Sequence, residues 1–113
     1  MDFQTTQNKL SAVIKFNAEK LTAINATELK NELLELNKKG VNNIILDLAS
    51  TKYCDSSGLS SILTGNRLCK DTNGKFILCG LQPSVFKVIQ IAQLDKVLLL
   101  SDTQEEAAKV IEM

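Results

Sequence analysis

The stretch Tyr53-Cys54-Asp55-Ser56-Ser57-Gly58-Leu59 puts a thiol, a carboxylate and two hydroxyls at consecutive positions. It follows an apolar run and precedes an amphipathic one, so it reads as the entry to a helix. Asp55 is an N-cap candidate, accepting from the amide of Ser57 or Gly58. Ser56 and Ser57 then lie in the first turn, where unpaired amides and the positive end of the helix dipole face them. A phosphate placed there would be stabilised by the helix. Gly58 has no side chain and lets a partner's backbone come close. Residues that only cap a helix look the same, and on local pattern alone capping is the more economical reading.

Other chemistries fail on residue inventory. The chain has no histidine, so a Ser-His-Asp triad lacks its base. A phosphate-cradling loop ending at Gly74-Lys75 needs a glycine where Cys69 stands. Asp47 could be the phosphoacceptor of a receiver domain, but Phe16-Asn17-Ala18 offers no acidic cluster for magnesium, and a structural role for Asp47 is preferred. As a nucleophile in a phosphate-binding turn, Cys54 would need a nearby arginine, yet Arg67 lies more than two turns into the helix. Cys54, Cys69 and Cys79 are too widely spaced for a zinc site and read as free, buried thiols. Thirteen basic residues balance thirteen acidic ones, which argues against direct nucleic-acid or membrane binding. No signal peptide or membrane-length apolar run is present, so a cytoplasmic protein is expected.

The positioning elements follow from periodicity. With 113 residues, one domain over 1–113 is expected. Phe3 to Thr6 is a weak strand. Leu10, Ala12, Ile14 and Phe16 share one face of a second, joined to the first by Gln7-Asn8-Lys9 as an antiparallel edge. Asn25-Ala26-Thr27-Glu28 reads as a capping box before a helix with Leu29, Leu33 and Leu36 on one stripe, stopping at Lys38-Lys39-Gly40. Ile44-Ile45-Leu46 predicts a central strand within Asn43 to Leu48, covered on both faces. A helix spans Asp55 to about Asp71, with Leu59, Ile62, Leu63 and Asn66 to Cys69 in phase, and Asn73-Gly74 ends it. Lys75 to Cys79 is a strand, and Gly80-Leu81-Gln82-Pro83 turns into a helix from about Ser84 to Ala92. Val97 to Leu100 is the last strand, and Asp102-Thr103-Gln104-Glu105 caps a final helix. The order predicts an α/β fold: about five strands in a mixed, mostly parallel sheet, with four helices mainly on one face.

Asp55-Ser56-Ser57-Gly58-Leu59-Ser60-Ser61-Ile62-Leu63, preceded by Ile44-Ile45-Leu46-Asp47-Leu48, resembles the signature of the STAS domain family, which includes the bacterial anti-sigma factor antagonists. The resemblance extends through Asn25 to Leu36 and Lys75 to Val88. It implies a protein that binds an anti-sigma factor serine kinase. That kinase phosphorylates the second serine, Ser57; the phosphorylated form lets go, and a serine phosphatase restores it. Thr22, Ile24, Asn25, Asp55, Ser56, Gly58 and Leu59 would form the partner surface, with Leu21 beside them. No cofactor and no metal is implied. The family's Gly-x-Leu-Asp stretch reads here Phe16-Asn17-Ala18-Glu19-Lys20-Leu21-Thr22, one residue longer, without the glycine and with Thr22 at the acidic position.

Two other functions fit less well. Such a domain can be a subunit of a larger signalling or lipid-transport assembly, without sigma-factor control. A nucleotide-binding or phosphoryl-transfer enzyme would need the glycine-rich loop and histidines the chain lacks.

Overall fold

A computed structural model describes residues 2–9 and 11–112. In chain order its elements are β1 (Phe3–Asn8), β2 (Ser11–Phe16), β3 (Lys20–Leu21), α1 (Ala26–Lys38), β4 (Asn43–Asp47), β5 (Tyr53–Cys54), α2 (Ser56–Asp71), β6 (Phe76–Cys79), α3 (Pro83–Ile91), β7 (Leu99–Ser101) and α4 (Gln104–Glu112). β1, β2, β4, β6 and β7 form one sheet in that spatial order. β1 pairs antiparallel with β2, and every other neighbour is parallel. Leu10, expected to open the second strand, lies outside the described residues.

Each crossover steps to the next strand in the same direction, so the right-handed rule puts α1, α2 and α3 on one face. Their stripes meet the sheet residues that point that way. Leu29, Leu33 and Leu36 of α1, Ile62 and Cys69 of α2, and Val85 and Ile89 of α3 pack with Ile14, Phe16, Leu46, Phe76 and Leu78. α4 follows the last strand and is not a crossover, so that rule does not bind it. It covers the opposite face, where Ala107, Val110 and Ile111 meet Val13, Ile45, Ile77 and Cys79. Helices on both sides explain why β4 is buried at Ile45 and Leu46 alike.

Some details differ from expectation for local reasons. Leu63 is 37% exposed, because the buried stripe of α2 runs through Gly58, Ser61, Ile62, Gly65 and Cys69. α3 starts at Pro83, since proline at the first helical position removes only an amide that would be unpaired. The last strand begins at Leu99 because a 3-10 turn at Leu94–Lys96 takes the amides of Val97 and Leu98 to the Leu94 carbonyl.

The sequence pattern also misses a second, two-stranded ladder. β3 pairs parallel with β5, matching Lys20 to Tyr53 and Leu21 to Cys54. It ties the chain before α1 to the chain before α2.

Two expectations follow from the packing. A Cβ on Gly65 would lie 2.5 Å from Cε1 of the buried Phe76. Gly65→Ala gains at most about 1 kcal/mol of helix propensity, whereas overpacking costs about 1–3 kcal/mol. The variant should therefore unfold at lower urea than wild type; equal or higher stability would contradict the packing. The second concerns the cysteines, which are all free and buried. Burial pushes the thiols of Cys54, Cys69 and Cys79 up to about 12. Reaction needs the thiolate. A disulfide reagent at pH 8 should leave the native thiols unmodified over the minutes in which it titrates all three in denaturant; one fast native thiol would contradict the burial.

Candidate functional site

Asp55 carries the local architecture. Its extended backbone (φ −96°, ψ −173°) places the side chain over the first turn of α2. Oδ1 accepts from the Gly58 amide at 2.9 Å, as the sequence predicts for a cap. Oδ2 accepts from the Ala23 amide at 3.3 Å, a link across 32 residues that no local pattern announces. One carboxylate thus holds the start of α2 and the loop before α1.

That loop has a second anchor in Asn25. The expected capping box does not form, because the Asn25 side chain makes no cap hydrogen bond to α1. Its Oδ1 instead accepts from the Thr22 amide at 3.0 Å, and its Nδ2 donates to the Lys20 carbonyl at 2.9 Å and to Asp2 Oδ2 at 3.0 Å. At 6% exposure Asn25 lies beneath the loop and shapes it. The amides of Asn25 and Ala26 both donate to the Thr22 carbonyl, closing the turn. Ile24 stands at the tip, 89% exposed, on a backbone fixed from both ends.

Gly58 is a close-approach position, but its own chain fills the space. A Cβ there would lie 2.5 Å from the Leu21 carbonyl oxygen and 2.6 Å from Cys54 Sγ. The Asp55 amide donates to the same Leu21 carbonyl at 3.2 Å. The absent side chain lets β3 seat against α2. Gly58 is buried, so a partner's backbone is not what its lack of a side chain accommodates.

Ser56 is exposed and Ser57 half-buried in the first turn of α2. Among the described residues the Ser57 hydroxyl has no protein partner. Ser57 lines a groove of 320 Å³ between the N-terminal halves of α1 and α2, with Ala23, Ala26, Thr27, Lys30, Ser56, Ser60 and Ser61. Leu59 is half-buried and packs against the core, so only part of it faces outward. Thr22 is half-buried in the turn.

Asp47 has the structural role expected of it. It is buried at the end of β4 and accepts from the Ala49 amide at 2.9 Å and from Gln104 Nε2 at 2.6 Å, with Lys15 Nζ at 3.7 Å. Among the described residues no group of three or more His, Cys, Asp or Glu side chains could hold a metal. No helix among them is long and apolar enough to cross a membrane.

The chain and its fold are similar to known proteins. The chain is 30% identical over 88 residues to BtrV of Bordetella bronchiseptica, named as a candidate anti-sigma factor antagonist; the match covers 78% of this chain and 76% of that one. It is 26% identical over 78 residues to the anti-sigma F factor antagonist of Paenibacillus polymyxa, covering 69% of this chain and 67% of that one. Among solved structures, a candidate anti-sigma factor antagonist of Thermotoga maritima superposes with a TM-score of 0.86 at 25% identity, covering 98% of this chain and 95% of that one. The phosphorylated form of the Bacillus protein SpoIIAA shares the fold, with a TM-score of 0.75 at 23% identity over 96% of this chain and 98% of that one. The STAS domain model matches residues 2–107, and the chain belongs to that family.

Proposed function

We propose that this protein is an anti-sigma factor antagonist that acts in the cytoplasm by binding, and that phosphorylation of Ser57 switches the binding off. One observation carries the reading: an unpartnered hydroxyl opens a helix, half-buried in a groove, beside a pinned loop that holds Ile24 out to solvent. Relatives named as anti-sigma factor antagonists support it.

The partner is an anti-sigma factor that is also a serine kinase. It docks on the exposed parts of the loop and of the first turn of α2: Ile24, Thr22, Ser56 and the outward part of Leu59. Asp55, Asn25 and Gly58 hold that surface in shape. In the kinase step the Ser57 Oγ attacks the γ-phosphorus of ATP. The O–P bond to ADP breaks, and the hydroxyl proton leaves to a base of the kinase. The phosphate adds a charge of roughly −1.5 to −2 near neutral pH. Amides and the helix dipole accommodate it, so the fold survives while the docked surface no longer matches. A serine phosphatase hydrolyses the ester and restores the hydroxyl.

Ser57→Asp should keep its circular dichroism and melting temperature yet bind the cognate anti-sigma factor roughly two to three decades more weakly, at about 1.4 kcal/mol per decade. Ser57→Ala should bind like wild type and take no label from the kinase. Labelling of Ser57→Ala at the wild-type rate would refute the site, and tight binding by Ser57→Asp would refute the switch. Ile24→Ala tests the surface separately. Ile24 is 89% exposed, so the change should leave stability within about 0.5 kcal/mol. Loss of a docked aliphatic side chain should weaken binding by roughly tenfold, and unchanged affinity in calorimetry would remove Ile24 from the interface.

A further inference from the structure

The groove beside Ser57 holds a charge that the switch leaves unassigned. Lys30, on α1, lines it opposite Ser56, Ser57 and Ser60, and is the only charged lining residue among the described ones. The ion pairs of the described residues are Lys15–Asp47, Lys38–Glu35 and Lys52–Glu19, and Lys30 takes part in none of them. The residue is half-buried, and no carboxylate among the described residues pairs with it. Asp55, the acidic group at the mouth of α2, is already engaged by the amides of Gly58 and Ala23. Ser61, at the groove floor, donates to the Gly58 carbonyl at 2.7 Å, and the hydroxyls of Ser57 and Thr27 make no hydrogen bond among the described residues.

We infer that Lys30 is the counter-ion for phosphate on Ser57, retaining the phosphoserine in the groove between α1 and α2. This rests on the switch reading for its biological occasion, but not for its chemistry. An ester on Ser57 Oγ adds its phosphate beside a groove that Lys30 lines from the α1 side, and Lys30 has no ion-pair partner among the described residues. The phosphate offers three acceptor oxygens and the ammonium three donors. The Gly58 amide is taken by Asp55, and the amides of Ser56 and Ser57 remain at the helix end that lines the groove. The phosphate is therefore clamped between two helices, and its charge is partly cancelled within the protein itself.

The test uses protein carrying phosphoserine genetically encoded at position 57, with no kinase and no partner present. Phosphorus NMR then follows the second ionisation of the phosphate, ordinarily near pH 6. A cation beside the dianion favours it and lowers that pKa. Asp55 acts in the opposite sense, but is common to all variants. The wild-type background should titrate about 0.3–0.7 pH unit below Lys30→Gln, the range of a partly screened ion pair. Lys30→Arg should keep the low value, and Lys70→Gln, an exposed lysine near the other end of α2, should not change it. The gap between wild type and Lys30→Gln should shrink in 1 M salt, where the Debye length is about 3 Å. Equal pKa values for wild type and Lys30→Gln at low salt, with both giving folded amide spectra, would overturn the assignment. Failure of the switch would appear instead in the binding experiments with Ser57→Asp.

Discussion

At the junction of β3 and α2, the distance between two backbones leaves no room for one carbon atom. The Leu21 carbonyl lies so near Gly58 that any side chain there would strike it or the Cys54 sulfur. Everything that shapes the site depends on that approach. It lets Lys20–Leu21 pair with Tyr53–Cys54, which puts the loop before α1 within reach of the Asp55 carboxylate. That carboxylate then completes two structures, the cap of α2 and the base of the Ile24 turn. The serine and the exposed isoleucine come from segments far apart in sequence, yet their spacing is set by main-chain geometry and one side chain.

Much of this was legible in the sequence, and the boundary of what was legible has a physical cause. The central strand announced itself because Ile44, Ile45 and Leu46 are apolar on both faces, and only a doubly covered strand rewards that. Asp55 was readable as a cap because capping is local, fixed by three residues of spacing. The ladder of β3 and β5 was not readable, since two residues carry no period. Asn25 misled for a related reason. The pattern Asn25 to Glu28 fits a capping box, but the Thr22 amide and Lys20 carbonyl compete for the same side chain and win. Gly58 reads from sequence as a close-approach position, but sequence cannot say whose backbone approaches. Lys30 carries no sequence signal, since the lack of an ion-pair partner among the described residues shows only in the fold.

The two faces of the sheet are unequal in how they are held. Three crossover helices press a large, continuous core onto one side, and α4 alone covers the other with a small cluster around Ala107. Among the described residues, two polar ties join α4 to the sheet: Gln104 donates to Asp47 at the start of the helix, and Lys75 Nζ, at the entry to β6, donates to the Val110 carbonyl at 2.9 Å near its end. The groove with Ser57 lies between α1 and α2 on the large-core side. The groove that Ser57 lines is thus built on the more heavily packed layer, as a rigidly presented surface requires.

The strand order has a consequence for how the molecule comes into being. In the five-stranded sheet, spatial order and chain order coincide. A chain leaving the ribosome amino end first can add each new strand to the exposed edge of the sheet already formed. No strand of that sheet has to be threaded between two that are already paired; only the short β3 waits across α1 and β4 for its partner β5. Each loop closure is local, which keeps its entropic cost low. The growing edge stays unpaired until the next strand emerges, so the interval of exposure is set by the length of one crossover, not by synthesis of the whole chain. Assembly by accretion ends with α4, whose docking closes the last open face.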